Sequence, residues 1–384
     1  MSEYQYYEFQ AIDRPLTAKE MATLRGFSSR ATITPTRFVN SYSYGSFKGD
    51  PSKWIEEYFD AFLYLSNWGT RELFLRLPAR ALPVRVAKAY CPGDSARARV
   101  RDGHVLVEIR SGDEEGGGEW IDEDDATRWL PSLVPLRADL AGGDLRALYL
   151  AWLMAAQNDQ LDDGDTEPPC PPGLRSLSAP LDAFVEFMRL DRDLVEAAAA
   201  GSPAVEPADA AALEGWVAAL PEAEKTSLLV RLVGGGEHHL RGELLRRFRE
   251  SRPAAASVAA PRARSVGELL EAAKGKAEER RSTEAARAAK EKAREEREAA
   301  KARDLQLAAL AERQVESWHE VEKLIATKQP RKYDEAVDLL RDLRDVCQRD
   351  GRPEEARSRI AALRSEHAKK GRFIERLRAA GLLA

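Results

Sequence analysis

Apolar residues recur with two different periods along this chain, and each period predicts a different kind of element. Residues 4–12 are aromatic and partly alternating, which predicts a strand. Pro15 and Thr17 then open a helix carrying Met21, Leu24 and Phe27 at helical spacing. Residues 32–44, rich in β-branched and aromatic side chains, predict a long strand. After the Gly49-Asp50-Pro51 turn, Trp54, Ile55, Tyr58, Phe59, Phe62 and Leu65 predict the wide apolar face of a second helix. Asn67-Trp68-Gly69 reads as its stop, with Gly69 in the left-handed conformation. Residues 73–77 and 84–90 follow as strands, and Asp102-Gly103 joins residues 97–101 to 105–109 as a hairpin.

Beyond this point the helical period takes over. One helix is predicted over 136–156, with Leu145, Leu148, Tyr149, Trp152 and Leu153 inward, and an exposed proline-rich loop over 158–173. Leu181, Phe184, Val185, Met188 and Leu194 predict another helix, Leu213, Trp216, Val217 and Leu220 a third, and Leu240, Leu244, Leu245 and Phe248 a fourth. Residues 252–264, rich in Pro, Ala and Ser, read as a linker. Between Leu270 and Leu305 no large apolar residue occurs, only Ala with Glu, Lys, Arg and other small or polar residues. These are strong helix formers with opposite charges three or four apart, as in Glu291/Arg294 and Glu298/Lys301. Without apolar a and d positions this is not a coiled-coil seam; it predicts a lone solvated helix of about 50 Å at 1.5 Å per residue. The tail returns to amphipathic stripes: Val315, Trp318, Val321 and Ile325, then Tyr333, Ala336, Val337, Leu340, Leu343 and Cys347. Asp350-Gly351 breaks the second stripe, Pro353 starts the next helix, and Ile360, Leu363, His367, Phe373, Ile374 and Leu377 continue.

The predicted fold is therefore an α+β N-terminal domain (1–135, antiparallel strands), a mainly α-helical domain (136–251), a linker (252–264), a long charged spacer helix (265–305) and a C-terminal helical-hairpin bundle (306–384). The charged fraction, 32%, exceeds the roughly 25% of ordinary domains, which the spacer explains. A net charge of −5 argues against generic binding to nucleic acid or anionic membrane. The charge is uneven: residues 91–165 hold seventeen acidic side chains against seven arginines, whereas residues 1–90 hold twelve basic against nine acidic. Met1-Ser2-Glu3-Tyr4 does not begin a signal peptide, nothing is long and apolar enough to span a bilayer, and three scattered cysteines do not make a disulfide framework. A cytoplasmic protein is expected.

Two stretches resemble an uncharacterised family of bacterial proteins. One comprises residues 6–17 (YYEFQAIDRPLT), with Tyr58-Phe59-Asp60-Ala61 and Asn67-Trp68-Gly69-Thr70-Arg71; the other runs from Ile325-Ala326-Thr327-Lys328 through Tyr333-Asp334-Glu335-Ala336-Val337. The tail also resembles the ends of some bacterial proteins that carry a SWIM zinc finger, but the Cys-x-Cys and Cys-x-His pairs of that finger are absent. It is similar, too, to a tetratricopeptide-type hairpin, although Glu335-Ala336 and Glu355-Ala356 lie 20 residues apart, not the 34 of that repeat. The resemblance implies no activity.

Candidate chemistry is sparse. His238-His239 lacks the paired ligands of a zinc site. Gly234-Gly235-Gly236 lacks a P-loop's Lys and Ser/Thr and reads as a turn between helices. The loop with Asp159, Asp162, Asp163 and Asp165 fails an EF-hand alignment, which would put Leu161 and Cys170 at ligand positions. His104, His319 and His367 sit in no nucleophilic motif, and Cys91 reads as a buried thiol. No catalytic, cofactor or metal residue is assigned. The leading expectation is a non-enzymatic interaction protein that meets a protein partner, or a second copy, through its C-terminal helices, with Trp318, Val321, Ile325, Tyr333, Val337, Leu340 and Leu343 as docking or mutual-core residues. One alternative is a nucleic-acid accessory factor using Tyr4, Tyr6, Tyr7, Phe9, Phe38, Tyr42, Tyr44, Phe47, Trp54 and Trp68 with Arg14, Arg25, Arg30, Arg37, Lys48 and Arg71. Another is a hydrolase with an unrecognised site.

Overall fold

A computed structural model describes residues 3–112, 121, 123–204, 210–233, 240–251 and 263–383. The chain divides into two compact units, Met1–Arg280 and Arg281–Ala384.

The first unit is built on seven strands: β1 (Gln5–Gln10), β2 (Thr32–Thr34), β3 (Arg37–Tyr42), β4 (Ala61–Ser66), β5 (Arg71–Pro78), β6 (Ala96–Arg101) and β7 (His104–Ser111). They pair antiparallel in the order β2-β3-β1-β4-β5-β7-β6. Successive strand residues point to opposite faces, so the sheet carries two cores. Tyr7, Phe9, Phe38, Phe62, Tyr64 and Phe74 pack on one face against helices α1 (Ala18–Arg25) and α2 (Pro51–Glu57). Both helices begin as their sequences predict: Thr17 and Glu20 form a capping box, and Asp50 accepts from Lys53 N with Pro51 in the first turn.

The other face carries Tyr6, Leu63, Leu65, Leu73, Leu75, Val105, Val107 and Ile109. It is covered by α3 (Val84–Lys88), α4 (Glu123–Thr127), α5 (Trp129–Leu133), α6 (Pro135–Ala141), α7 (Arg146–Gln157), α8 (Ala179–Phe187) and α9 (Arg192–Ala200). This core runs unbroken from the strands through these helices, so no core boundary falls at 135–136. Helices α10 (Ala210–Ala219), α11 (Glu222–Val233) and α12 (Leu240–Ser251) follow, then α13 (Val266–Glu312).

Several predicted elements divide or change type. Residues 32–44 form two strands around a Pro35-Thr36 turn. The helix expected to run on to Leu65 ends at Glu57, because Asp60 binds elsewhere: its Oδ2 accepts from Ile12 N and Asp13 N at 2.7 and 2.8 Å, and its Oδ1 from Arg76 at 2.9 Å. The chain then enters the sheet as β4, buried on both faces, and Asn67-Trp68-Gly69 becomes its hairpin turn, with Gly69 at φ 103°. Residues 84–90 hold a short helix rather than a strand. The helix expected over 136–156 breaks at Gly142-Gly143, and the one through Leu194 breaks at Arg189, where Asp191 caps α9.

Helix α13 also departs from a wholly solvated spacer. Val266, Leu269 and Ala273 lie in the first unit's core, and Arg280 pairs with Asp193 at 2.8 Å. Residues 281–302 are exposed at every position, as a segment without apolar bulk must be. Residues 252–262 of the expected linker lie outside the described residues; Arg264 at its end is anchored to Glu167 at 2.7 Å.

In the second unit, Leu307 and Leu310 join α14 (Gln314–Ala326), α15 (Pro330–Arg349), α16 (Pro353–Glu366) and α17 (Gly371–Ala379) around one core. Gly351 closes α15 at φ 69°, a conformation that favours glycine.

Asp60 is 1% exposed and its counter-ions Arg76 and Arg137 are largely buried. Asp60→Ala removes the counter-ion of Arg76 and leaves Ile12 N and Asp13 N without their acceptor, and urea unfolding of this variant is expected to show a loss of about 3–5 kcal/mol; a loss below about 1 kcal/mol would contradict the structural role of Asp60.

Candidate functional site

Two places in the first unit combine geometry with unspent binding capacity. The first is a cleft of about 500 Å³ where the sheet's helix-facing side runs out from under α5 and α6. The sheet contributes Glu8 and Gln10 from β1 with Thr36 and Arg37 from the β2–β3 turn; Pro131, Val134 and Pro135 form the apolar wall opposite. Register explains the meeting: Gln10 pairs with Arg37 across β1 and β3, so the Arg37 side chain reaches back along the sheet to Glu8. Arg37 Nε donates to Glu8 Oε1 at 2.6 Å and Tyr6 OH to Glu8 Oε2 at 2.8 Å. Glu8 is 1% exposed, Arg37 40%. Burial pushes the Glu8 carboxyl above its ordinary range, opposed by Arg37 and the tyrosine hydroxyl. Burial likewise raises the Tyr6 hydroxyl, so it stays a donor. Deeper in, Arg137 Nη2 holds Asp13 at 2.6 Å and its Nε donates to the carbonyl of Arg76 at 2.6 Å.

The second place is the helical arm α10–α12. Leu229, Val230, Leu232 and Val233 of α11 are 60%, 65%, 64% and 84% exposed, and Val217 of α10 is 44% exposed. No residue of α11 is buried. The arm is not loose: Arg231 pairs with Glu243 at 2.8 Å, Arg247 with Glu224, and Trp216 meets Phe248 edge-on at 5.7 Å. Gly242 of α12 lies so close to the end of α6 that a Cβ there would fall 2.4 Å from Ala141 O. Neither place was singled out in the sequence. Glu8 and Arg37 are 29 positions apart and carry no local motif. The run Ser227-Leu228-Leu229-Val230-Arg231-Leu232-Val233 was readable as an apolar surface too wide for one helix face.

Of the residues that the sequence singles out, Tyr6 and Arg37 belong to the first place, and the others lie elsewhere. Trp318, Val321, Ile325, Tyr333, Val337, Leu340 and Leu343 are all buried in the second unit's own core, so they offer no docking stripe. Their spacing suits one bundle burying itself, which is what happens. Of the aromatics considered for stacking on bases, Tyr6, Tyr7, Phe9, Phe38 and Trp54 are core; Tyr44 and Trp68 are exposed. Arg14 and Arg37 are held by Glu20 and Glu8, and Arg71 is buried, donating to Phe187 O at 2.9 Å.

The acidic loop acts as a seat for α13: Val266 N donates to Asp165 O and Gly267 N to Asp163 O, both at 3.0 Å. Next to it Glu167 is buried against Arg264, Tyr149 and Cys170, contrary to a fully exposed loop. Among the described residues no group of three His, Cys, Asp or Glu is placed to hold a metal ion. Gly234-Gly235-Gly236 and His238-His239 lie outside them. His319 is exposed, and His367 packs edge-on to Phe373 at 6.2 Å. Burial raises the Cys91 thiol to about 12, which makes it inert.

Comparison with protein-family models, with curated proteins and with solved structures finds no match to this chain.

Because folding raises the Glu8 pKa, the folded state binds its proton more tightly. The carboxyl therefore favours the fold as pH falls toward 4.5, its ordinary value, and costs stability above its folded pKa. Urea unfolding between about pH 8 and 5 is expected to show wild type gaining on Glu8→Gln as pH falls. Parallel pH profiles would contradict the assignment.

Proposed function

We propose that this is a non-enzymatic interaction protein that docks helix against helix, and that its first partner is a second copy of the chain. The observation that carries the reading is the aliphatic face of α11. Four neighbouring large side chains facing water are the signature of an interaction surface, not the scattered exposure normal to monomers. The face holds no charge, so an aliphatic surface complements it, and a twofold axis brings the same patch onto itself. Among the described residues beside it, Arg231–Glu243, Arg247–Glu224 and Lys225–Glu222 are paired, so these charges do not oppose a second copy. Twelve residues of α11 give a contact line of about 18 Å. This moves the docking surface from the C-terminal stripes to the arm.

A cytoplasmic setting fits the three free thiols, Cys91, Cys170 and Cys347. Among the described residues no helix is long and apolar enough to cross a membrane.

Sedimentation of the full chain up to roughly 100 µM, where a micromolar interface saturates, is expected to give a dimer. The triple variant Leu229→Ser, Val230→Ser, Val233→Ser should sediment as a monomer with unchanged circular dichroism, since these side chains are exposed in the fold. A monomeric wild type, or a triple variant that dimerises equally well, would remove the reading.

A further inference from the structure

We infer that the cleft beside Glu8 and Arg37 is a binding site for an organic monocarboxylate with an apolar tail, gripped by the Arg37 guanidinium. This is independent of the docking face on α11.

The sign of the ligand follows from which partner of the ion pair a visitor meets. Glu8 is 1% exposed and already covered by Arg37, whereas Arg37 is 40% exposed at the mouth. An incoming cation finds the guanidinium in its way; an incoming anion finds it presented. The guanidinium also has capacity left. Its Nε serves Glu8 at 2.6 Å and its Nη2 reaches Tyr6 OH only at a long 3.4 Å. Among the described residues its Nη1 makes no hydrogen bond, and neither do the Gln10 side-chain amide or the Thr36 hydroxyl, which line the same cleft. Two guanidinium N–H groups match the fork of a carboxylate, and the amide and hydroxyl can complete its remaining lone pairs.

The charge and the tail follow from the walls. Arg137, the second cation at the cleft, is spent on Asp13 and on the carbonyl of Arg76, and lies 3.9 Å from Asp60. One available positive charge suits a monoanion; a doubly charged phosphate would be left half-compensated beside Glu8. Pro131, Val134 and Pro135 give the opposite wall nothing polar to offer from their side chains, so the rest of the ligand is apolar. About 500 Å³ is within the usual range of small-molecule sites.

Binding is linked to protonation. The groups facing Glu8 are Tyr6 on its own strand and Arg37 on β3; Arg137 on α6, tied to Asp13, lines the same cleft. A carboxylate arriving on Arg37 competes with Glu8 for the same cation, and Glu8, already raised by burial, takes up a proton. The protonated acid can then donate to the Tyr6 hydroxyl oxygen, from which it had accepted. Affinity therefore rises as pH falls, until the ligand itself protonates at about 4–5.

Calorimetric titration of the full chain with octanoate, octylamine and a short apolar peptide with a free or amidated C-terminus tests this. Octanoate or the free-acid peptide is expected to bind with Kd below about 1 mM, and octylamine to bind at least tenfold more weakly. If the free-acid peptide is the tighter of the two and amidation abolishes it, the natural source is a chain terminus; if octanoate is tighter, it is a free acid. Either ordering supports the site. Arg37→Met, at a half-exposed position, should fold normally by circular dichroism and lose at least tenfold in affinity. Glu8→Gln should keep binding and lose its pH dependence between about 8 and 5.5. No binding of either carboxylate at about 10 mM, equal binding by Arg37→Met, or preference for the amine would overturn the inference.

Discussion

One buried carboxylate organises the first unit. Asp60 takes two backbone N–H groups from the end of β1, a guanidinium from β5 and the proximity of another from α6, and so joins four parts of the chain at one point. A buried charge is tolerated only when its acceptor sites are filled, and here they are filled by groups 16 to 48 positions away. The geometry forces the chain out of α2 immediately before it and into β4 immediately after. The central strand, both cores and the cleft roof on α6 follow from that change of direction.

The same logic recurs where α13 begins. Arg264 is held by the buried Glu167 carboxylate and by the carbonyls of Ala197 and Ala198 at the end of α9, where a helix's unpaired acceptors gather. With Val266 and Leu269 in the core, the helix starts from a fixed direction. Polar clusters of this kind are satisfied and specify a register. The Glu8–Arg37 pair differs, because Arg37 still has a donor to give.

Local signals were legible and long-range ones were not. The capping box at Thr17 and Glu20, the Asp102-Gly103 hairpin (φ 48° and 74°) and the tail's apolar stripes each announce themselves within a few residues, and each is realised, except that Val315 of the first stripe faces water. Residues 54–65 misled because a strand buried on both faces has no alternation and reads like the continuing face of a helix. The helix of 84–90 was hidden by its β-branched valines, whose strand preference is overridden by packing of Ala87 into the core. Breaks inside 136–156 and 181–194 escaped because apolar spacing continues across them. For the sites, the tail stripes looked like a docking face because an amphipathic helix reads alike whether its partner is its own bundle or another molecule.

Residues 285–302 leave this chain with a stretch on which packing imposes no demand. Elsewhere a residue is held to its place by a neighbour that fits it; here the sole requirement is that the backbone stay helical and wet. Shuffling the order of its alanines, glutamates, lysines and arginines breaks no buried contact and costs only exposed pairs within the helix, such as Arg294 with Glu298. Such a segment is free to drift in sequence and in length while the residues at either end of α13 cannot.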